Sequence, residues 1–152
     1  MALEQLYQEV ILDHYKSPRN KRELPEAEIS RTRNNPLCGD EITILAHLDN
    51  GKVAAIAFQG QGCSISQASA SMLTEAVSGQ PLGQAKDLAA QFRAMMQGSI
   101  DPDEDTFGDL VALTGVRKYP ARIKCAVLAW DVFQEALSGA EEGVVAGGSS
   151  RP

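Results

Sequence analysis

Residues 41–58, EITILAHLDNGKVAAIAF, decide the fold class. Ile42, Ile44, Ala46 and Leu48 alternate with Thr43, Leu45 and His47, the period-2 pattern of a strand that buries one face. Asp49-Asn50-Gly51 supplies a tight turn, and Lys52 to Phe58 returns with Ala54, Ile56 and Phe58 on one face. The pattern predicts an antiparallel hairpin. Gln59-Gly60-Gln61-Gly62 then breaks the sheet and delivers Cys63 to the start of a helix.

Working outward, Leu3, Leu6, Tyr7, Val10, Ile11 and His14 fall at helical spacing, with Pro18 just beyond the helix end. Residues 17–33 are polar and turn-rich, with room for one short strand around Ile29. Downstream, SISQASASMLTEAVSG puts small residues on one side of a helix, stopped by Gly79 and Pro81. A second helix spans Leu82 to Gln97 and closes at Gly98. Residues 99–109 form an acidic loop, and Leu110 to Val116 a short helix. Pro120 opens the last helix, whose stripe is Ile123, Val127, Trp130, Phe133 and Leu137, and Gly139 ends it. The expected fold class is α+β: a small antiparallel β-sheet of about three strands packed with several α-helices. Residues 1–139 read as one domain, and the Gly/Ser-rich segment 140–152 reads as a disordered tail.

Bulk properties exclude several functions. The 152 residues, 43% hydrophobic and 22% charged, suit one soluble domain. A net charge of −6 argues against nucleic acid, whose phosphates require a basic face. No apolar run approaches the roughly 20 residues that span a bilayer. The start, MALEQLYQEV, lacks a basic region followed by an apolar core, so the expected location is the cytoplasm. Thiols there stay reduced.

Three cysteines then matter: Cys38 in the loop NPLCGD before the first good strand, Cys63 before a helix, and Cys125 in the second turn of the last helix. They can be buried filler, a metal site or a reactive site, and spacing alone leaves the choice open because no C-x-x-C pair is present. A zinc ion needs four donors, which three thiolates and Asp40 would satisfy. Asp40 after Gly39 also reads as a simple turn acid. Arg122 and Lys124, flanking Cys125 in ARIKC, would offset the excess negative charge of such a site, or be solvated helix cations. His14 and His47 read as structural.

At these residues the sequence resembles the U-type iron–sulfur assembly proteins, the SufU/IscU family with its NifU N-terminal-like domain. The matching pieces are LYQEVILDHYKSPRN, NPLCGD, FQGQGCSISQASASM and ARIKCAVLAW, in order and covering nearly the whole chain to about Gly139. It resembles the SufU branch more than the scaffold branch. The scaffold branch places a histidine immediately before the third cysteine, where this chain has Lys124, and the stretch between Cys63 and Cys125 is expanded.

The resemblance implies a SufE/NifU-like fold and a zinc site formed by Cys38, Asp40, Cys63 and Cys125. It implies a sulfurtransferase-type role, in which Cys38 accepts persulfide sulfur from a PLP-dependent cysteine desulfurase of the SufS type. That partner would offer a histidine as replacement ligand, with Arg122 and Lys124 as electrostatic support. A downstream SUF cluster-assembly scaffold is a further implied partner. The alternative it implies is a scaffold that assembles and delivers a transient 2Fe–2S cluster.

Overall fold

The computed structural model describes residues 3–35 and 39–146. Helix α1 (Leu3–Lys16) precedes three strands, β1 (Ile29–Asn35), β2 (Asp40–Asp49) and β3 (Lys52–Gln61). Helices α2 (Ser64–Val77) and α3 (Leu82–Met96), the one-turn α4 (Glu104–Phe107), a 3-10 segment (Gly108–Val116) and α5 (Pro120–Ala146) follow. The strands form one antiparallel sheet in the order β1-β2-β3. This is the α+β architecture expected from the alternating pattern.

The hairpin between β2 and β3 closes through Asn50 and Gly51, both at positive φ (54° and 74°), the backbone of a two-residue turn that follows sheet twist. One detail differs from the sequence reading. Val53 is buried, whereas Ala54 is exposed. His47 pairs with Ala55 and Leu48 with Val53, so a bulge leaves Ala54 without a cross-strand partner and reverses the alternation near the turn. Nor do the glycines after Phe58 break the sheet. Gly60 pairs with Ile42 and Gln61 with Glu41, so β3 runs on to the threshold of α2.

One face of the sheet, with Ile29, Ile42, Ile44, Ile56 and Phe58, packs beneath α2 and α5. Helix α5 is the centre of the molecule: Cys125, Ala126, Ala129, Val132, Phe133 and Leu137 are fully buried. Its Trp130 stacks on Phe92 of α3, with ring centroids 4.4 Å apart. Edge strand β1 is tied to α5 by Arg31 and Arg33, which both reach Glu135 at 3.1 and 2.7 Å. These half-exposed pairs add little stability each.

Helix α5 does not end at Gly139 but continues to Ala146, so residues 140–146, expected in a disordered tail, have helical backbone. An exposed glycine costs a helix only about 1 kcal/mol, and the Ala-Glu-Glu that follows favours helix. The acidic loop likewise contains structure. Asp103 caps α4 by accepting the Asp105 amide.

Helix α1 docks on α2 through His14, which is buried. Its Nδ1 shares a 2.8 Å hydrogen bond with Ser71 Oγ, which also accepts the Arg19 amide. Burial, with help from Arg19, holds the imidazole pKa below its usual value against the opposing Glu75, Asp13 and Asp109. The folded state therefore keeps His14 neutral where the unfolded chain would protonate it, and this stabilisation fades as pH falls below about 6.5.

Two predictions follow from this packing. Val53→Thr should lose about 1–3 kcal/mol of stability by burying a hydroxyl, whereas Ala54→Thr should stay within about 0.5 kcal/mol of the unsubstituted chain, both by urea denaturation. The stability advantage of the unsubstituted chain over His14→Gln should shrink between pH 7 and pH 5; an advantage constant across that range would show the ring does not titrate differently on folding.

Candidate metal centre

The sheet and the helix layer meet where β2 begins, β3 ends and α2 starts. Asp40, the first residue of β2, is completely buried. Its Oδ1 accepts the backbone N–H of Cys63 at 2.8 Å, and its Oδ2 lies 3.8 Å from Cys63 Sγ. Cys63 is the N-cap residue of α2, with its backbone extended and its carbonyl accepting the Gln67 amide at 3.1 Å. Cys125 projects from the second turn of α5 and is fully buried, its Sγ 3.7 Å from the Ala121 carbonyl oxygen.

This close approach has a steric condition. Gly62 has φ +150°, and a Cβ there would stand 2.2 Å from Asp40 Oδ1. A Cβ at Gly60 would meet the Glu41 carbonyl oxygen at 2.0 Å. The two glycines therefore let the end of β3 lie against the start of β2 and leave room for the carboxylate.

A carboxylate oxygen of Asp40 and the sulfurs of Cys63 and Cys125 all lie within 4.8 Å of one another. Zinc bonds of about 2.3 Å to sulfur and 2.0–2.2 Å to oxygen place neighbouring tetrahedral donors about 3.5–3.8 Å apart. The 3.8 Å between Asp40 Oδ2 and Cys63 Sγ lies within about 0.3 Å of the sulfur–oxygen edge. Two sulfurs and one carboxylate are a donor set suited to a divalent zinc-like ion, and they leave a fourth position. The residues present fit the group.

The other sequence-identified residues fall as follows. Cys38 lies outside the described residues, two positions before Asp40. Gly39 is a turn residue with φ +72°, its amide donating to the Asn35 carbonyl. Arg122 and Lys124 are exposed on the first two turns of α5. Both histidines are away from the donor cluster: His14 bonds Ser71, and His47 bonds Glu28. Sequence reasoning missed the backbone role of Asp40 and the steric role of Gly62. The GQGC spacing was the available signal.

The fold and site together define an α+β domain whose helix layer and hairpin converge on an Asp-Cys-Cys cluster that could hold a metal ion. Residues 6–126 match the NifU-like N terminal domain, and the chain belongs to that family. It is 46% identical over 141 residues to the zinc-dependent sulfurtransferase SufU of Bacillus subtilis, covering 93% of this chain and 95% of the relative. It is 43% identical to the iron–sulfur cluster assembly scaffold protein IscU of Streptococcus pyogenes, over 89% of this chain and 84% of that one. A crystal structure from Fervidobacterium islandicum, described as an iron–sulfur cluster assembly scaffold protein for a SUF system, superposes with a TM-score of 0.81. It is 31% identical, with 90% of this chain and 99% of that chain covered. Among the described residues no helix is long and apolar enough to cross a membrane.

Gly62→Ala should cost about 3 kcal/mol or more, through strain and displacement of the Asp40 carboxylate, and should abolish stoichiometric metal uptake. Gly51→Ala, also at positive φ but facing open space, should cost about 1 kcal/mol and leave metal content unchanged. Metal analysis and denaturation of the two variants compare them directly; equal metal content would show that the glycine does not shape the donor cluster.

Proposed function

We propose that the chain is a zinc-dependent sulfur acceptor, working in the cytoplasm with a PLP-dependent cysteine desulfurase of the SufS type in iron–sulfur cluster biogenesis. A downstream SUF cluster-assembly scaffold is a further partner. The observation that carries this reading is the convergence of Asp40, Cys63 and Cys125 within 4.8 Å, two residues from a third cysteine. The name and activity of the Bacillus subtilis relative support it.

Cys38, Asp40, Cys63 and Cys125 are the residues that would hold the zinc. When bound, it keeps the sulfurs deprotonated and shielded from oxidation. Cys63 caps one helix and Cys125 lies inside another, so both are fixed in place. Cys38, beside the turn residue Gly39, takes the acceptor role. Its thiolate attacks the terminal sulfur of the donor's cysteine persulfide; a new sulfur–sulfur bond forms as the old one breaks. The donor cysteine leaves as thiolate, and Cys38 carries the persulfide. Two electrons stay with the departing sulfur and no oxidant or reductant is consumed.

The segment RKYPARIK, residues 117–124, holds Arg117, Lys118, Arg122 and Lys124 and no acid, in a chain of net charge −6. At the start of the helix that bears Cys125, these cations favour approach of an anionic partner surface. Arg122 and Lys124 supply the electrostatic support nearest the site.

A second reading, a scaffold that assembles and delivers a transient 2Fe–2S cluster, draws support from the Streptococcus pyogenes relative. Lys124, where the scaffold branch carries histidine, weighs against it.

The chain purified under reducing conditions should carry about one zinc ion per molecule and raise desulfurase turnover several-fold, with one sulfur atom added at Cys38 by mass spectrometry. Cys38→Ser should lose both the stimulation and the added sulfur, and rising salt should weaken the stimulation through KM. Full stimulation by Cys38→Ser would sink the acceptor assignment. A stable cluster formed by anaerobic reconstitution and passed to an apo-ferredoxin, without desulfurase stimulation, would establish the scaffold reading instead.

A further inference from the structure

The cluster takes its sulfurs from two different helices, so its geometry depends on how α2 is seated along α5. Both helices bury small side chains, Ala68, Ser69, Ala70 and Ser71 on one and Ala126 and Ala129 on the other. Small side chains allow close packing but raise shallow ridges that resist sliding poorly. A slip of one residue along a helix moves a donor by about 1.5 Å, whereas a working site must be held to about 0.5 Å.

Ser69 makes two polar links across this interface. Ser69 Oγ donates to the carbonyl oxygen of Ala126, the residue after Cys125, at 2.6 Å. Ser69 Oγ itself accepts the indole N–H of Trp130 at 3.1 Å. The indole is in turn clamped by Phe92 of α3, nearly parallel at 19°. Ser69 and Trp130 are both essentially inaccessible to solvent, so no water competes for these bonds.

We propose that Ser69 is a positioning residue, whose hydroxyl locks the register of α2 on α5 and thereby sets the spacing of Cys63 and Cys125 for the metal. The proposal rests on the zinc reading above. It goes beyond that reading in assigning metal affinity to a side chain that does not touch the ion.

The test uses the full chain loaded with zinc and, separately, with cobalt(II), whose visible bands report ligand number and geometry. Ser69→Ala should raise the zinc dissociation constant about tenfold, the lower end of what lost outer-shell support costs, and should shift the cobalt spectrum. Ser69→Thr keeps the hydroxyl while crowding a methyl into a sealed site, so it should lower the melting temperature yet retain zinc like the unsubstituted chain. Affinity and stability then move independently. An unchanged zinc affinity and cobalt spectrum in Ser69→Ala would overturn the proposal, as would Ser69→Thr losing zinc in step with its stability. Should Ser69→Ala fail to fold, Ser69→Thr decides alone by the same criterion. An unsubstituted chain that takes up no zinc would overturn the zinc reading itself, before any variant is compared.

Discussion

A fully buried carboxylate held against a side-chain-free stretch of backbone is the constraint on which this molecule turns. Asp40 accepts the Cys63 amide at 2.8 Å, and Gly62 must lack a Cβ for the contact to exist. That single contact joins the start of β2, the end of β3 and the first turn of α2. It therefore fixes how the hairpin meets the helix layer. A buried carboxylate is costly to keep unless it is hydrogen-bonded or faces a cation. One oxygen here has its amide, and the other faces the Cys63 sulfur. A divalent cation between carboxylate and sulfurs would satisfy the second oxygen, which gives the proposed metal a structural purpose as well as a chemical one.

The rest of the core serves the same junction. Helix α5 is enclosed by α2, α3 and the sheet, and its buried Trp130, Phe133 and Leu137 hold it in place. Cys125 is held with it. Cys63 inherits the rigidity of a helix start whose preceding strand is paired to its last residue. Donors built on such elements stay close without a flexible loop having to be ordered around them.

Much of this was legible in the sequence, for identifiable reasons. The hairpin was readable because alternation and Asp-Asn-Gly are local signals, and the helices because their apolar residues repeat at helical spacing. The bulge at Ala54 was not, since Val53 and Ala54 are both apolar and only the pairing with Leu48 distinguishes them. The glycines looked like sheet breakers, because a contact with Glu41 and Asp40 twenty residues away leaves no local trace. Gly139 looked like a helix end, yet an exposed glycine stops a helix only if the residues beyond it disfavour helix. The donor residues were found through motifs, and their convergence is tertiary. No spacing among positions 40, 63 and 125 encodes it.

The character of the proposed chemistry follows from what stands beside Cys125. Lys124 is a cation with no lone pair to offer while protonated, so it cannot serve as the nitrogen donor that a histidine would be. It can lower the energy of the excess negative charge that sulfurs and a carboxylate leave around a divalent ion. A cluster scaffold gains from an additional ligand that holds iron, whereas a sulfur acceptor gains from a site that stays anionic and accessible to a sulfur donor. An exposed lysine at this position, two helix-anchored sulfurs behind it and a further cysteine two residues before the buried carboxylate together favour the passage of sulfur over the storage of a cluster.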